Sequence, residues 1–180
     1  MSILITIPLV AFVVWGIVLY NRLVRDRNRV RAAWSDIDVQ LQRRHDLIPK
    51  LVAAVSQYAR FERSTLERLT ALRSASRAAS GLEELGEVES AIGSGMRHLL
   101  LIVEDYPQLK ADASFRDLQR DITDVEDQIQ FARRYYNGAV RNLNTRIESF
   151  PDLLLARPLN YCSEDYFELS DPTEREDTPK

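Results

Sequence analysis

Hydrophobic positions divide the chain into two regimes. Residues 3–20 read ILITIPLVAFVVWGIVLY, an apolar run without a charge. Beyond it, apolar residues recur at steps of three and four, the spacing of helices that bury one face. The most regular stretch is Phe115, Leu118, Ile122, Val125, Ile129, Ala132, Tyr136, Ala139, Leu143, Ile147 and Phe150, which predicts a helix over 113–149. Ser114 followed by Asp117 outlines a capping box at its start, with Asp for the usual Glu or Gln. Pro151 stops it. An earlier stripe of Leu23, Val30, Trp34, Ile37 and Leu41 continues straight out of the apolar run. Leu51, Val55, Tyr58, Leu66, Leu69 and Leu72 make a second, fading into the Ser- and Ala-rich 74–80 and Gly81. A third covers 83–105 with Leu85, Val88, Ile92, Met96, Leu99 and Val103, its middle weakened by Gly93 and Gly95. Tyr106-Pro107 then opens a turn.

Pro49 admits two readings. Asp46 can cap a new helix whose first turn holds Pro49, or one long helix can kink there. The heptad phase from Leu41 through Ile48, Leu51 and Val55 favours the kink. Segments of about 26, 31, 22 and 37 residues, rods long enough to cover one another's stripes, favour the break. The expected fold is all-α: an N-terminal transmembrane helix over 1–20, an antiparallel four-helix bundle of long helices over 21–160, and an acidic tail over 161–180. The tail has little to bury beyond Tyr166, Phe167 and Leu169, so disorder is expected past Glu168. Leu153-Leu154-Leu155-Ala156 reads either as a flap over the end of the bundle or as a lipid contact.

As a helix, the eighteen residues 3–20 span roughly 27 Å, close to the ~30 Å hydrocarbon core of a bilayer. Trp15 and Tyr20 sit toward one end, where amphipathic rings settle at the interface. Pro8 and Gly16 are tolerated in lipid. A cleaved signal peptide fits less well, because the run lacks a basic n-region and ends in bulky Leu19-Tyr20. Arg22, Arg25, Arg27, Arg29 and Arg31 follow the run, and the positive-inside rule then puts the N-terminus outside and residues 21–180 in the cytoplasm. The same cluster is positioned to touch anionic lipid.

Overall charge changes the picture little. Twenty-four basic against 27 acidic residues give −3, no reason to expect a nucleic-acid partner. Residues 25–31 (RDRNRVR) lack the aromatic interleaving that single-strand binding needs. The single cysteine, Cys162, and two histidines, His45 and His98, leave no material for a Cys-rich zinc site. A di-iron bundle wants Glu-x-x-His pairs, but Gln42 and Gly95 stand three residues before the two histidines. Gly93 and Gly95 lack the Lys and strand of a phosphate loop. His45 beside Asp46 reads as a helix cap before it reads as an acid–base pair. No cofactor is implied and no enzyme shows itself.

Several ordered motifs carry a resemblance. They are Tyr20-Asn21-x-Leu23-Val24, Arg27-Asn28-Arg29-Val30, Ala33-Trp34-Ser35-Asp36-Ile37-Asp38-Val39-Gln40-Leu41, Arg43-Arg44-x-Asp46-Leu47-Ile48-Pro49-x-Leu51-Val52 and Tyr58-Ala59. Farther along come Glu104-x-Tyr106-Pro107-x-Leu109-Lys110, Phe115-x-x-Leu118-Gln119, Ala132-Arg133-Arg134-Tyr135-Tyr136-Asn137, Val140, Asn144 and Phe150-Pro151. Together these resemble the LemA family over nearly the whole chain, with Lys50, Leu72-Arg73 and Asp112 as departures. The resemblance implies a bacterial inner-membrane protein with an N-terminal anchor, a bundle of four helices and no established enzymatic activity. It also implies association with membrane remodelling or organelle membranes, and with membrane metalloproteases of the HtpX type. It directs attention to Arg43, Arg44, Asp46, Arg133, Arg134, Tyr135 and Asn137, either as ion pairs and caps inside the bundle or as a surface for a partner.

The function expected is that of a membrane scaffold or adaptor, acting by self-assembly or through a membrane-protein partner. Regulation of a metalloprotease is the alternative. A homo-oligomer is expected because the last long helix outruns its neighbour and should leave one end bare, either Phe115 and Leu118 or Leu143 and Ile147.

Overall fold

The structure, a computed structural model, describes residues 2–57 and 63–169, and of residues 2–5 and 8 the backbone alone. Six helices account for most of it: α1 (Ser2–Ser56), α2 (Arg63–Ala78), α3 (Leu82–Val103), α4 (Pro107–Ala111), α5 (Ala113–Glu148) and α6 (Leu153–Ala156). No strand occurs among the described residues. Tyr58, Ala59 and the tail from residue 170 lie outside them, and so does the expectation of disorder there. Among the described residues no helix is long and apolar enough to cross a membrane. Part of the run 3–20 falls on residues whose side chains are outside that description.

Pro49 neither starts nor ends a helix. The α-helix runs through it to Ser56, so rods of 26 and 31 residues do not exist; the four longer helices have 55, 16, 22 and 36 residues. An interior proline costs a helix roughly 3 kcal/mol. Ile48, Leu51 and Val55 are fully buried around it, and each such side chain returns about 1.5–3 kcal/mol. Core burial outweighs the missing N–H. Asp46 therefore lies inside α1 and caps nothing.

The chain divides into two compact units, to each of which α1 and α5 contribute. Unit 1 comprises residues 1–36 and 134–166. Its core is Leu19, Leu23, Val30 and Ala33 of α1, Tyr136, Val140, Leu143 and Ile147 of α5, and Ala156 of α6. Trp34 meets the Tyr136 ring edge-on, 5.4 Å between centroids. The α5 stripe uses Val140 where the heptad reading had Ala139, and Phe150 is 77% exposed. Beyond α6 the chain is extended and is gripped by its backbone. Asn144 donates from Nδ2 to the Glu164 carbonyl and accepts the Glu164 N–H at Oδ1, both at 2.9 Å, and the Tyr136 hydroxyl donates to the Asp165 carbonyl at 3.0 Å. Packed structure thus continues past residue 160, the boundary drawn from composition, because the acidic side chains take no part in these contacts.

Unit 2 comprises the described residues among 37–133 together with 167–169. Ile37, Leu41, Ile48, Leu51 and Val55 of α1 share its core with Leu66 and Leu69 of α2, Ile92, Met96, Leu99 and Val103 of α3, Leu109 of α4, and Phe115, Ile122, Val125 and Ile129 of α5. Three glycines of α3 are contact points rather than weaknesses. A Cβ on Gly95 would meet Leu69 at 3.3 Å, one on Gly93 the Arg44 guanidinium at 3.4 Å, and one on Gly86 the Glu168 carbonyl oxygen at 2.2 Å. Gly86 lets the backbone beyond the buried Phe167 lie directly on α3. Asp112, two residues before the expected Ser114, caps α5: its Oδ1 accepts the Phe115 N–H at 2.9 Å.

Neither end of α5 is bare. Phe115 and Leu118 are buried in unit 2, and Leu143 and Ile147 in unit 1. Length alone misled, because segments without a heptad stripe (α4, α6 and the extended chain) also supply apolar side chains to these cores.

Candidate functional site

Core positions on α1 step by four and three: Leu19, Leu23, Asp26, Val30, Ala33, Ile37, Leu41, Arg44, Ile48, Leu51, Val55. Two of these eleven are charged. On α3 the positions Ile92, Met96, Leu99 and Val103, extended back one step, reach Glu89. A charge in a core position needs partners that replace its hydration, and each of the three has them.

In unit 2, Arg44 is 1% exposed and Glu89 is fully buried. The Arg44 Nη2 donates to the Glu89 backbone carbonyl at 3.1 Å and pairs closely with its Oε2, and Nη1 donates to both Glu126 carboxylate oxygens at 3.0 and 3.2 Å. His45 Nε2 stands 2.7 Å from Glu89 Oε1. An ionised carboxylate only accepts, so Nε2 carries the proton. The Ser76 hydroxyl donates to the same oxygen. Burial pushes the Glu89 carboxyl up, but the His45 hydrogen bond, the Arg44 charge and the Ser76 and Arg44 hydrogen bonds outweigh it and hold the group below its ordinary value. The five residues come from α1, α2, α3 and α5. A cavity of about 30 Å3 beside them, reached also by Arg97 and Arg133, has room for about one water.

Unit 1 holds a smaller cluster. Arg146 Nε donates to Asp26 Oδ2 at 2.6 Å and its Nη1 to Asp152 Oδ1 at 3.4 Å, while Arg29 Nη1 reaches Asp26 Oδ1 at 3.5 Å. Burial pushes the Arg146 guanidinium down; the Asp26 hydrogen bond and charge, and then those of Asp152, more than compensate and hold it above its ordinary value.

The residues singled out from sequence disperse over these settings. Arg44 is a core residue and no part of a surface, because the heptad turns position 44 inward. Arg43 and Asp46 are exposed. Asp46 accepts from Gln42 Nε2 at 3.1 Å and lies 4.0 Å from Arg73. Arg133 donates to the Leu169 carbonyl at 3.5 Å and stands near Arg44 at the small cavity. Arg134, Tyr135 and Asn137 belong to unit 1, with Tyr135 exposed and Arg134 and Asn137 engaged in interactions. His45 faces Glu89 and not Asp46. Sequence reasoning passed over Asp26, Glu89, Ser76 and Glu126. For Asp26 and Glu89 the signal was present, as charges in register with the apolar stripes; Ser76 is uncharged and Glu126 lies one residue off the α5 stripe at Val125.

Glu89's oxygens are committed to Arg44, His45 and Ser76, and the Ser76 hydroxyl, the one hydroxyl hydrogen-bonded to Glu89 among the described residues, donates its proton to Glu89. Among the described residues no group of three His, Cys, Asp or Glu side chains could hold a metal ion. The cluster's chemistry is that of a structural lock.

The sequence model of the LemA family matches residues 33–180. Protein LemA of Metamycoplasma hominis is 30% identical over 152 residues, 84% of this chain and 69% of that protein. Magnetosome protein MamQ 2 of Paramagnetospirillum magneticum is 24% identical over 188 residues, covering 90% of this chain and 69% of the relative. Magnetosome protein MamQ of Magnetospirillum gryphiswaldense is 25% identical over 187 residues, with 89% and 69% covered. Matched by the family's sequence model over most of its length and by a LemA protein at 30% identity, the chain belongs to the LemA family.

Proposed function

We propose that this protein is a single-pass, non-enzymatic membrane scaffold. Residues 3–20 anchor it in the cytoplasmic membrane, and an antiparallel bundle of the four longer helices presents surfaces on the cytoplasmic side to a second copy or a membrane-protein partner. The observation that carries the reading is the exposed apolar wall of α1. Ile7, Leu9, Val10, Phe12, Val13, Val14, Ile17 and Val18 all face outward, each 42–66% exposed. A helix apolar on all sides is at home in lipid and not in water. The arginines after Tyr20 support an inward-facing bundle. Charged groups that elsewhere serve catalysis are here consumed in locking helices, which supports a binding role.

Crosslinking in native membranes, followed by identification of the joined chains, tests this. A ladder of self-adducts supports a homo-oligomeric scaffold, and a defined membrane-protein adduct supports an adaptor, including one for a membrane metalloprotease. Monomer alone at every crosslinker concentration removes the scaffold reading. Topology is tested separately. With Cys162 replaced by serine, a cysteine at Ser2 should react with an impermeant maleimide in intact cells, while native Cys162 in the unmodified chain should stay protected. The reverse pattern overturns the orientation.

A further inference from the structure

In unit 1 a pocket of about 300 Å3 lies between the α1 face carrying Arg27 and Arg31 and the extended segment 160–164. The two arginines are four residues apart and so share one helix face. Asn160, in the left-handed region with φ 53°, turns the chain into the segment that forms the other wall. Tyr161 holds the Arg27 guanidinium over its ring, 5.2 Å from the centroid. Among the described residues neither Arg27 nor Arg31 has a carboxylate partner, whereas Arg29 turns to Asp26. The walls therefore carry two uncompensated guanidiniums against one carboxylate, Glu164, with Ser163 and Cys162 beside them.

This is a cationic pocket at the low end of ligand-site volumes. Guanidinium forks match phosphate oxygens in shape as well as charge. Position narrows the source. Arg27 and Arg31 follow Tyr20 by seven and eleven residues, about 10 and 16 Å along the helix. Helical side chains lean toward the N-terminus, which turns both toward a headgroup layer about 5–7 Å deep and brings Arg27 nearer to it than Arg31.

We propose that this pocket binds a phosphate group, that of an anionic phospholipid headgroup in the leaflet where α1 leaves the membrane. The proposal of a lipid source rests on the anchor reading above; the affinity for phosphate does not.

Cys162 is the chain's single cysteine and lines the pocket, so its rate of maleimide alkylation reports occupancy. The full chain is held in neutral detergent micelles that contain phosphatidylglycerol, phosphatidylcholine or inorganic phosphate. Phosphatidylglycerol should slow alkylation several-fold relative to phosphatidylcholine. Arg27→Gln with Arg31→Gln should abolish that protection at unchanged helicity, and Glu164→Gln should strengthen it. A control chain, Cys162→Ser with Asn28→Cys, puts the thiol elsewhere on exposed α1 and reports the general effect of micelle charge; it should not respond to the arginine changes. Equal protection by inorganic phosphate supports the phosphate site with a soluble source. No protection, or protection indifferent to Arg27 and Arg31, overturns the proposal. Flotation with vesicles is scored apart from this, so failure to float removes the anchor reading and leaves the micelle result to decide the site.

Discussion

In unit 1, Asp26 meets an arginine whose side chain keeps 29% of its surface in solvent; in unit 2, Arg44 meets Glu89 where the two retain 1% and nothing. Both clusters occupy heptad positions that an aliphatic residue would fill at no electrostatic cost. They differ in what each charge falls back on. Arg146 has a second carboxylate, Asp152, and water. Arg44 has Glu126, 24% exposed, and the Glu89 backbone carbonyl; the other charges at its cavity, Arg97 and Arg133, carry its own sign. Removing one partner from a buried pair strands the other, and the penalty scales with how completely water is shut out.

The largest effect is expected from Glu89→Leu. It leaves Arg44 half-paired and His45 and Ser76 without their acceptor, a loss of about 3–5 kcal/mol. Urea unfolding of the full chain in detergent, followed by circular dichroism, measures it. Adding Arg44→Leu should recover much of the loss, since a whole pair exchanged for well-packed apolar groups is often close to neutral and Glu126 is open enough to hydrate. If the double variant is no better than the single one, lost packing rather than a stranded charge governs the site.

Asp26→Ala, in unit 1, should cost less, about 1.5–3 kcal/mol as for a hydrogen bond to a charged group. The same titration decides whether depth is the controlling variable. Equal losses for Asp26→Ala and Glu89→Leu would show that it is not.

The units should also weaken at opposite ends of the pH scale. Glu89 is depressed in the folded chain, so the unfolded state binds its proton more tightly. Its contribution is complete above the ordinary glutamate value of 4.5 and is lost as pH falls through the lower folded value. Tyr136 behaves the other way. Burial raises it, and the charges of Glu164 and Asp165 raise it further. Its contribution is complete below the ordinary value of 10.0 and is lost as pH rises through the folded one. Unfolding midpoints across pH, compared with Glu89→Gln and Tyr136→Phe, isolate each edge. Glu89→Gln should flatten only the acid slope and Tyr136→Phe only the alkaline one.

The sequence was most legible where apolar residues alone set the register. The α5 boundaries came within a residue, 113–149 against Ala113–Glu148, because eight of the eleven apolar positions are buried along it and Pro151 follows its end. The stripes of α1 and α3 were read with gaps at Asp26, Arg44 and Glu89, since hydrophobicity has no symbol for a charge whose partner lies 45, 82 or 120 residues away. Pro49 left two readings open for a related reason, and the continuous helix favoured by the heptad phase is the one that forms. Its local penalty is visible in sequence, and the burial of Ile48, Leu51 and Val55 that overrides it is only suggested. The grip on Glu164 and Asp165 was invisible, because it acts on backbone atoms that every residue shares.

The smallest effects separate the glycines of the two units. Gly138 lies inside α5 in unit 1, and a Cβ there would meet nothing within 4 Å. Gly95 lies inside α3 in unit 2, with Leu69 at 3.3 Å. Both pay the same backbone entropy, so alanine should gain about 0.5–1 kcal/mol at either site if propensity alone counted. At position 138 that full gain is expected. At position 95 the new methyl must displace a side chain that is 1% exposed in a packed core, and overpacking costs about 1–3 kcal/mol. The net sign should therefore reverse: Gly138→Ala raises the urea midpoint slightly, and Gly95→Ala lowers it or leaves it unchanged. Leu69→Ala in the Gly95→Ala background supplies the discriminating measurement. It removes the γ and δ carbons that the new Cβ would meet, so if the contact is the cause, the double variant must be more stable than the sum of the two single changes predicts.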